Sequence, residues 1–477
     1  MAIQHSTDNA DQASLSLVDD VVATARRAQA RFEKGADQAR YDRAALAAAW
    51  TLMEPARNRG LAEFAVATTG LGNVEDKINK NHRKTLGLLR DIAAVKTCGV
   101  IGEMPDKGIT EIARPIGVIG SVVPSTNPLA TPVNNIVNAL KCGNAIVLSP
   151  SPAGVAACER LLACMHAEFE KSGIDPDLVQ MIPPPSGKDK TQRLMQLADL
   201  VIVTGSQDNV RRAYSSGTPA IGVGTGNATV IVDETADLQD AAKKIAASKS
   251  FDNATSCSSE NALVVVDEIY EGFIQALDSA GGRLLDEADA KRLHEALFQD
   301  GKLNRLMVAK DIDVLLDVAG IAVADPETAR FLVLPAVEIG PGHLESGEKL
   351  SLVVALYRAR DFDHAKELAA GILGYQGAGH SVGLYSTSDD RARQLGHDLP
   401  TCRVIVNQAH CFATGGSFDN GAPFSLSMGC GSWGGNSIDG NLNYRHFMNI
   451  TRIIRTIAPD EPALEEIFGE YWQEAGQ

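Results

Sequence analysis

Gly117-Val118-Ile119-Gly120-Ser121-Val122-Val123, with Pro115 before it and Pro124 after it, decides the fold. An apolar run this short, bounded by prolines, reads as a parallel strand buried on both faces. Working outward, a helix is expected from about 128 to 141, and Asn144-Ala145-Ile146-Val147-Leu148 reads as the next strand. Ser151-Pro152 then opens a second helix with a capping residue and proline at the first helical position. Its apolar stripe is Cys158, Leu161, Leu162, Met165 and Phe169, and Gly173 stops it. Residues 178–182, 200–203 and 228–232 read as third, fourth and fifth strands with helix-like segments between them. This alternation predicts an α/β lobe whose parallel sheet is covered by helices on both faces, a nucleotide-binding type of architecture.

Upstream, residues 17–95 have the three- and four-residue apolar spacing of helices. Downstream of about residue 245 a second α/β unit is expected, with strands at 262–266, 352–356, 381–385 and 404–406. The chain has 477 residues, beyond the ~250–300 at which one core stops growing, so two large lobes are required. The expected division is 1–244 for the nucleotide-binding domain, 245–420 for the catalytic domain, and 421–477 for a return segment with a C-terminal arm. Cys257 then falls on the loop joining the lobes, where clefts form.

Acidic residues outnumber basic ones by 60 to 44, a formal charge of −16. No Lys/Arg-rich run offsets this, so nucleic acid and anionic membrane surfaces are not expected partners. There is no apolar stretch of ~18 residues and no signal-peptide pattern at the start. The eight cysteines are scattered, with no C-x-x-C pair and no zinc-like spacing. Reduced thiols, a cytoplasmic location and no metal site are the expectations.

Cys257 sits in Ser250-Phe251-Asp252-Asn253-Ala254-Thr255-Ser256-Cys257-Ser258-Ser259-Glu260, a segment of small polar residues. On those residues alone it is either a nucleophile or an inert thiol. F-D-N, three residues, Cys, then S-x-E resembles the nucleophile segment of the aldehyde dehydrogenase superfamily, in its coenzyme-A-acylating branch. Further blocks follow in the branch's order. Lys96-Thr97-Cys98-Gly99-Val100-Ile101 resembles K-T-C-G-V-I, and Pro115 to Pro128 resembles P-x-G-V-I…P-T-T-N-P. Ala213-Tyr214-Ser215-Ser216-Gly217, Gly222-Val223-Gly224-Thr225-Gly226-Asn227 and Glu348-Lys349-Leu350-Ser351 have counterparts too. So has Met428-Gly429-Cys430-Gly431-Ser432-Trp433-Gly434-Gly435-Asn436-Ser437.

The resemblance implies a Rossmann-like nucleotide-binding domain, a second α/β catalytic domain and a small β oligomerisation arm. It makes Cys257 the thiolate that attacks an aldehyde carbonyl, with its pKa lowered from ~8.5 toward neutrality. The side-chain amide of Asn127 and the backbone N–H of Cys257 become the oxyanion donors; by itself Asn127 also reads as a turn residue before Pro128. NAD or NADP is implied as hydride acceptor. Its matching positions are Pro124, Ser125 and Thr126 after the first strand, Ser149 after the second, Thr204, Gly205 and Ser206 after the fourth, and Gly224. Gly205-Ser206 opens a helix whose N-terminus can face a phosphate, and is equally an ordinary strand–helix turn. Glu348 is implied to hold the nicotinamide ribose, against the alternative of a solvated carboxylate.

Hydrolytic members carry a glutamate in an E-L-G-G segment. The matching 222–227 segment has no carboxylate, so a thiol, coenzyme A by resemblance, is the expected acyl acceptor. His380 matches a histidine of the branch that assists the thiol or holds the acceptor; a core or loop histidine is the other reading. Residues 98–113 and 447–454 match the family's oligomerisation arm, implying a homodimer or homotetramer. The Cys257 segment is closest to acylating enzymes for anionic short aldehydes, sulfoacetaldehyde first and succinate semialdehyde second, ahead of acetaldehyde. The cationic or N–H-rich mouth such substrates need has no visible position in the sequence. Ser149-Pro150-Ser151-Pro152 holds no acidic residue to repel a 2′-phosphate, so both nicotinamide coenzymes stay open. A hydrolytic aldehyde dehydrogenase and a non-catalytic binding protein are the rival readings.

Overall fold

A computed structural model describes residues 2–323 and 325–476, and side chains from residue 14 onward. The helical start is four helices, Ala2–Glu33, Gln38–Met53, Pro55–Thr69 and Val74–Ile92. Their apolar stripes, including Val18, Val22, Ala25, Ala48 and Leu52, join one core with the strands that follow.

Five parallel strands make the first sheet, in the order Val179–Met181, Ala145–Pro150, Val118–Val123, Leu200–Thr204, Ala220–Val223. The strand that decides the fold is the middle one, and every residue of it is buried. That explains its unbroken apolar character, since each of its large side chains gains about 1.5–3 kcal/mol by leaving water. Helix Ala130–Lys141 is buried along its whole length, which accounts for the scarcity of charge in it.

The sheets divide differently from the sequence reading. Ala228–Val232 is not the fifth strand of the first sheet; that place is taken by Ala220–Val223. Ala228–Val232 instead pairs with Glu260–Val266 and Val382–Tyr385 in a second, seven-stranded parallel sheet. A doubly buried apolar strand reads the same in either sheet, so only pairing could assign it. The chain therefore crosses between sheets at 224–227 rather than near residue 245. The second sheet runs Gly282–Leu284, Phe331–Pro335, Val353–Ala359, Glu260–Val266, Ala228–Val232, Val382–Tyr385, Val404–Val406. Its first two strands were not anticipated.

A third, antiparallel sheet joins Gly99–Met104 to Ile109–Pro115 and that strand to Met448–Ile454. Met448–Ile454 is an edge strand, with Ile453 and Ile454 exposed. No described helix is long and apolar enough to cross a membrane.

Candidate active site

The carboxyl ends of the first sheet's strands face the amino ends of the second sheet's strands across a cavity of about 380 Å³. The turn after Val118–Val123 contributes Pro124, Thr126 and Asn127; the end of Leu200–Thr204 contributes Thr204, Gly205 and Ser206; the crossover contributes Gly224 and Thr225. Cys257 and Ser258 enter just before strand Glu260–Val266, and Glu348 closes one wall. Lys84 also lines it, a residue the sequence did not single out. Ser125 and Ser149 do not line it; the Ser149 hydroxyl lies 2.8 Å from Thr191 Oγ1. A larger hollow between Arg31, Arg40, Arg43 and Asp175 contains none of the expected residues.

Strain and charge hold the nucleophile loop. Asp252, Asn253 and Ala254 all have positive φ, at 48°, 52° and 59°. Three consecutive left-handed residues with side chains cost about 1–2 kcal/mol each and persist only when their surroundings over-determine them. The buried Asp252 carboxylate supplies that determination. It accepts from Lys80 Nζ at 2.5 Å, from Lys77 Nζ at 3.1 Å, from Thr255 Oγ1 at 2.8 Å and from the Asn73 N–H at 3.0 Å. Burial works against the charged form, but the two lysines hold its pKa below the usual aspartate value. Lys80 Nζ also donates to Asn127 Oδ1 at 3.0 Å.

Cys257 is partly open to the cavity. A Cβ on Gly226 would lie 2.2 Å from the Cys257 carbonyl oxygen, so only glycine lets the crossover pass this close. His380, outside the cavity wall, sits behind the sulfur with Nε2 3.4 Å from Sγ and Nδ1 2.7 Å from Ser381 Oγ. Arg403 Nη1 donates to the His380 carbonyl at 3.0 Å and fixes that loop. His380 is thus both buried in the core and in contact with the Cys257 sulfur.

One expectation is reversed. Burial, reinforced by the Glu348 carboxylate, pushes the Cys257 thiol up to about 12, because Arg403 is too weak a counterweight. Burial, with Arg403 and His410, pulls His380 down to about 3. Near neutral pH the pair is a neutral thiol beside a neutral imidazole. In the tautomer that carries its proton on Nδ1, His380 donates to Ser381 Oγ and turns the Nε2 lone pair to the sulfur. Glu348 is not freely solvated: its carboxylate accepts the Gly226 N–H at 3.1 Å, and burial pushes it up to about 8.

Residues 4–314 match the model of the aldehyde dehydrogenase family. The chain belongs to that family. A curated relative in it, the acylating sulfoacetaldehyde dehydrogenase of Cupriavidus necator, is 54% identical over 98% of this chain and 94% of its own. An acetylating aldehyde dehydrogenase from Geobacillus thermoglucosidasius superposes with a TM-score of 0.90 at 33% identity, covering 95% and 99% of the two chains. A Rhodopseudomonas palustris propionaldehyde dehydrogenase solved with bound propionyl-CoA shares the fold, with a TM-score of 0.82 at 24% identity over 92% and 94%.

The cavity's chemistry fits a dinucleotide. Ser206 caps helix Gln207–Tyr214, whose first N–H groups face the Thr204–Ser206 wall. Nothing lies within 4 Å of where a Gly205 Cβ would be, leaving open space for a phosphate beside the start of that helix.

Proposed function

We propose that the protein is an acylating aldehyde dehydrogenase that converts a short anionic aldehyde, sulfoacetaldehyde before succinate semialdehyde, and coenzyme A to the acyl-CoA. The relative from Cupriavidus necator supports the substrate. The carrying observation is a cavity that opens on Cys257, with His380 Nε2 3.4 Å from its sulfur behind the wall and a crossover segment that has no carboxylate of its own, the cavity's Glu348 carboxyl being tied to the Gly226 N–H.

Cys257 Sγ attacks the carbonyl carbon while His380 Nε2 takes the thiol proton. The carbonyl oxygen becomes an oxyanion held by the Asn127 side-chain amide and the Cys257 N–H, donors worth about 10²–10³ in rate each. Thr204, Gly205, Ser206 and Gly224 would hold NAD or NADP, with Glu348 toward its ribose, and the bound nicotinamide would accept the hydride. Loss of hydride leaves a thioester on Cys257. Gly224 and Thr225 cannot deprotonate water, whereas the coenzyme A thiol is already a few per cent ionised near neutral pH. It displaces the acyl group, and Cys257 recovers its proton.

The test is absorbance at ~340 nm with and without coenzyme A, in NAD and NADP, for wild type and Cys257→Ser. Turnover only with coenzyme A, abolished in the variant, is expected. Full-rate turnover without it would select the hydrolytic alternative.

The chain is read as a homodimer or homotetramer joined through its arm. Ile454 on the edge strand is 73% exposed, and helix Leu464–Ala475 turns Leu464, Ile467 and Tyr471 to solvent. Ile454→Asp should sediment as a smaller species than wild type; an unchanged mass would remove the arm from the interface.

A further inference from the structure

Helix Val74–Ile92 presents Lys77, Lys80 and Lys84 to the site, at the spacing that places residues on one helix face. Apolar residues would be expected there, since burying an ammonium is costly unless it is paired. Lys77 and Lys80 are paired with Asp252. Lys84 is not. Its Nζ donates to the Gly415 carbonyl at 2.6 Å and the Gly416 carbonyl at 3.4 Å, and no carboxylate lies within ion-pair distance among the described residues. Arg83 likewise has no ion pair: Nη2 donates to Ser417 Oγ at 3.3 Å, and the guanidinium lies over Phe412 and Phe418. Asp419 feels its field without contacting it.

The two cations, with Lys80, line a small annexe that shares Lys84, Asn127, Ser256, Cys411 and Leu426 with the main cavity. Thr204, Gly205 and Ser206 are absent from its walls, so it is separate from the open space beside Gly205. The cavity that holds Cys257 and Asn127 therefore adjoins two cations with no carboxylate within ion-pair distance among the described residues, in a protein of net charge −16.

We propose that Lys84, with Arg83 in the annexe beyond it, seats the anionic head group of the aldehyde, a sulfonate or a carboxylate. The inference rests on the acylating reading and adds to it the residues that choose the substrate. Burial pulls Lys84 down to about 7, with Arg83 and Lys80 acting in the same sense. A bound anion would reverse that pull and hold the ammonium charged.

The test compares sulfoacetaldehyde, succinate semialdehyde and propionaldehyde, each with coenzyme A, on wild type, Lys84→Met and Arg83→Met. A charge-assisted hydrogen bond predicts that Lys84→Met lowers kcat/KM for the preferred anionic aldehyde by roughly 10–150-fold, mainly through KM. Propionaldehyde, which carries no charge for the ammonium to meet, should change by less than about threefold. Arg83→Met should show the same selectivity with a smaller loss. Ethanesulfonate, which has no carbonyl, should compete with the aldehyde and raise the wild-type Tm, and do neither in Lys84→Met.

Equal losses for charged and neutral aldehydes, or no effect of ethanesulfonate on wild type, would overturn the subsite. A wild type that uses coenzyme A with neutral aldehydes and ignores both anionic ones would overturn it while sparing the acylating reading. If no aldehyde gives coenzyme-A-dependent turnover, the acylating reading fails and the ethanesulfonate Tm shift alone decides the subsite.

Discussion

The Lys80 ammonium donates to the Asn127 side-chain carbonyl at 3.0 Å and thereby determines which end of that amide is left for substrate. Lysine is a donor only, so the atom facing it must be oxygen, and Nδ2, which donates one hydrogen to Thr126 Oγ1 at 3.4 Å, is the end that the proposed oxyanion would meet. Polarising the amide carbonyl also strengthens its N–H as a donor.

Lys80→Met is therefore expected to reduce kcat by roughly 10²-fold, approaching the loss in Asn127→Ala. The double variant should be little worse than either single one, as for residues that act as a unit. Multiplicative losses in steady-state kinetics would show that Lys80 serves only the fold, through Asp252.

Cys257 is pushed up to about 12 and His380 down to about 3, so no thiolate–imidazolium pair forms between those values. The rate of Cys257 alkylation by iodoacetamide should rise about tenfold per pH unit from pH 6 to 9. A plateau across that range would reveal a preformed ion pair. Without a proton acceptor beside the sulfur, His380→Gln should lose about 10²–10⁴ in the acylation step, read as the single-turnover NADH burst.

Val223 ends a strand and lines the cavity beside Gly224. Val223→Glu places a carboxylate in the segment that lacks one. It is expected to raise formation of free acid without coenzyme A by at least about tenfold, within the range of general base catalysis. Product analysis by chromatography decides it. Unchanged acid release would mean that the missing base is not what bars water.

Burial raises Glu348 from 4.5 to about 8. Above pH 4.5 the unfolded chain releases this proton while the folded protein keeps it, so stability falls as pH rises toward 8 and then levels. Glu348→Gln keeps an acceptor for the Gly226 N–H and removes the ionisation. Its Tm should match wild type near pH 4.5 and exceed it at pH 8, by the equivalent of about 1–3 kcal/mol once partial exposure to the cavity is allowed for. A Tm gap independent of pH would place the proton elsewhere.

The first sheet was legible because a strand buried on both faces must be continuously apolar, and Val118–Val123 advertises that in any context. Ala228–Val232 advertised the same property and was assigned to the wrong sheet, because burial does not record which neighbour supplies it. Cys257, Asn127 and Glu348 were found through ordered motifs and do meet in one cavity. Lys80 and Lys84 could not be found that way, since lysines along a helix look like a solvated face until the fold supplies their partners. Asp252 is 172 residues from Lys80, and its left-handed backbone leaves no mark on the amino-acid pattern. The one-dimensional chain thus determined most of the buried strands and singled out Cys257 among eight cysteines, both of which depend on local side-chain chemistry. Only the folded chain decided which end of the Asn127 amide faces Lys80, which side chain meets the Cys257 sulfur and where lysines without a carboxylate partner gather, because each depends on distances between residues remote along the backbone.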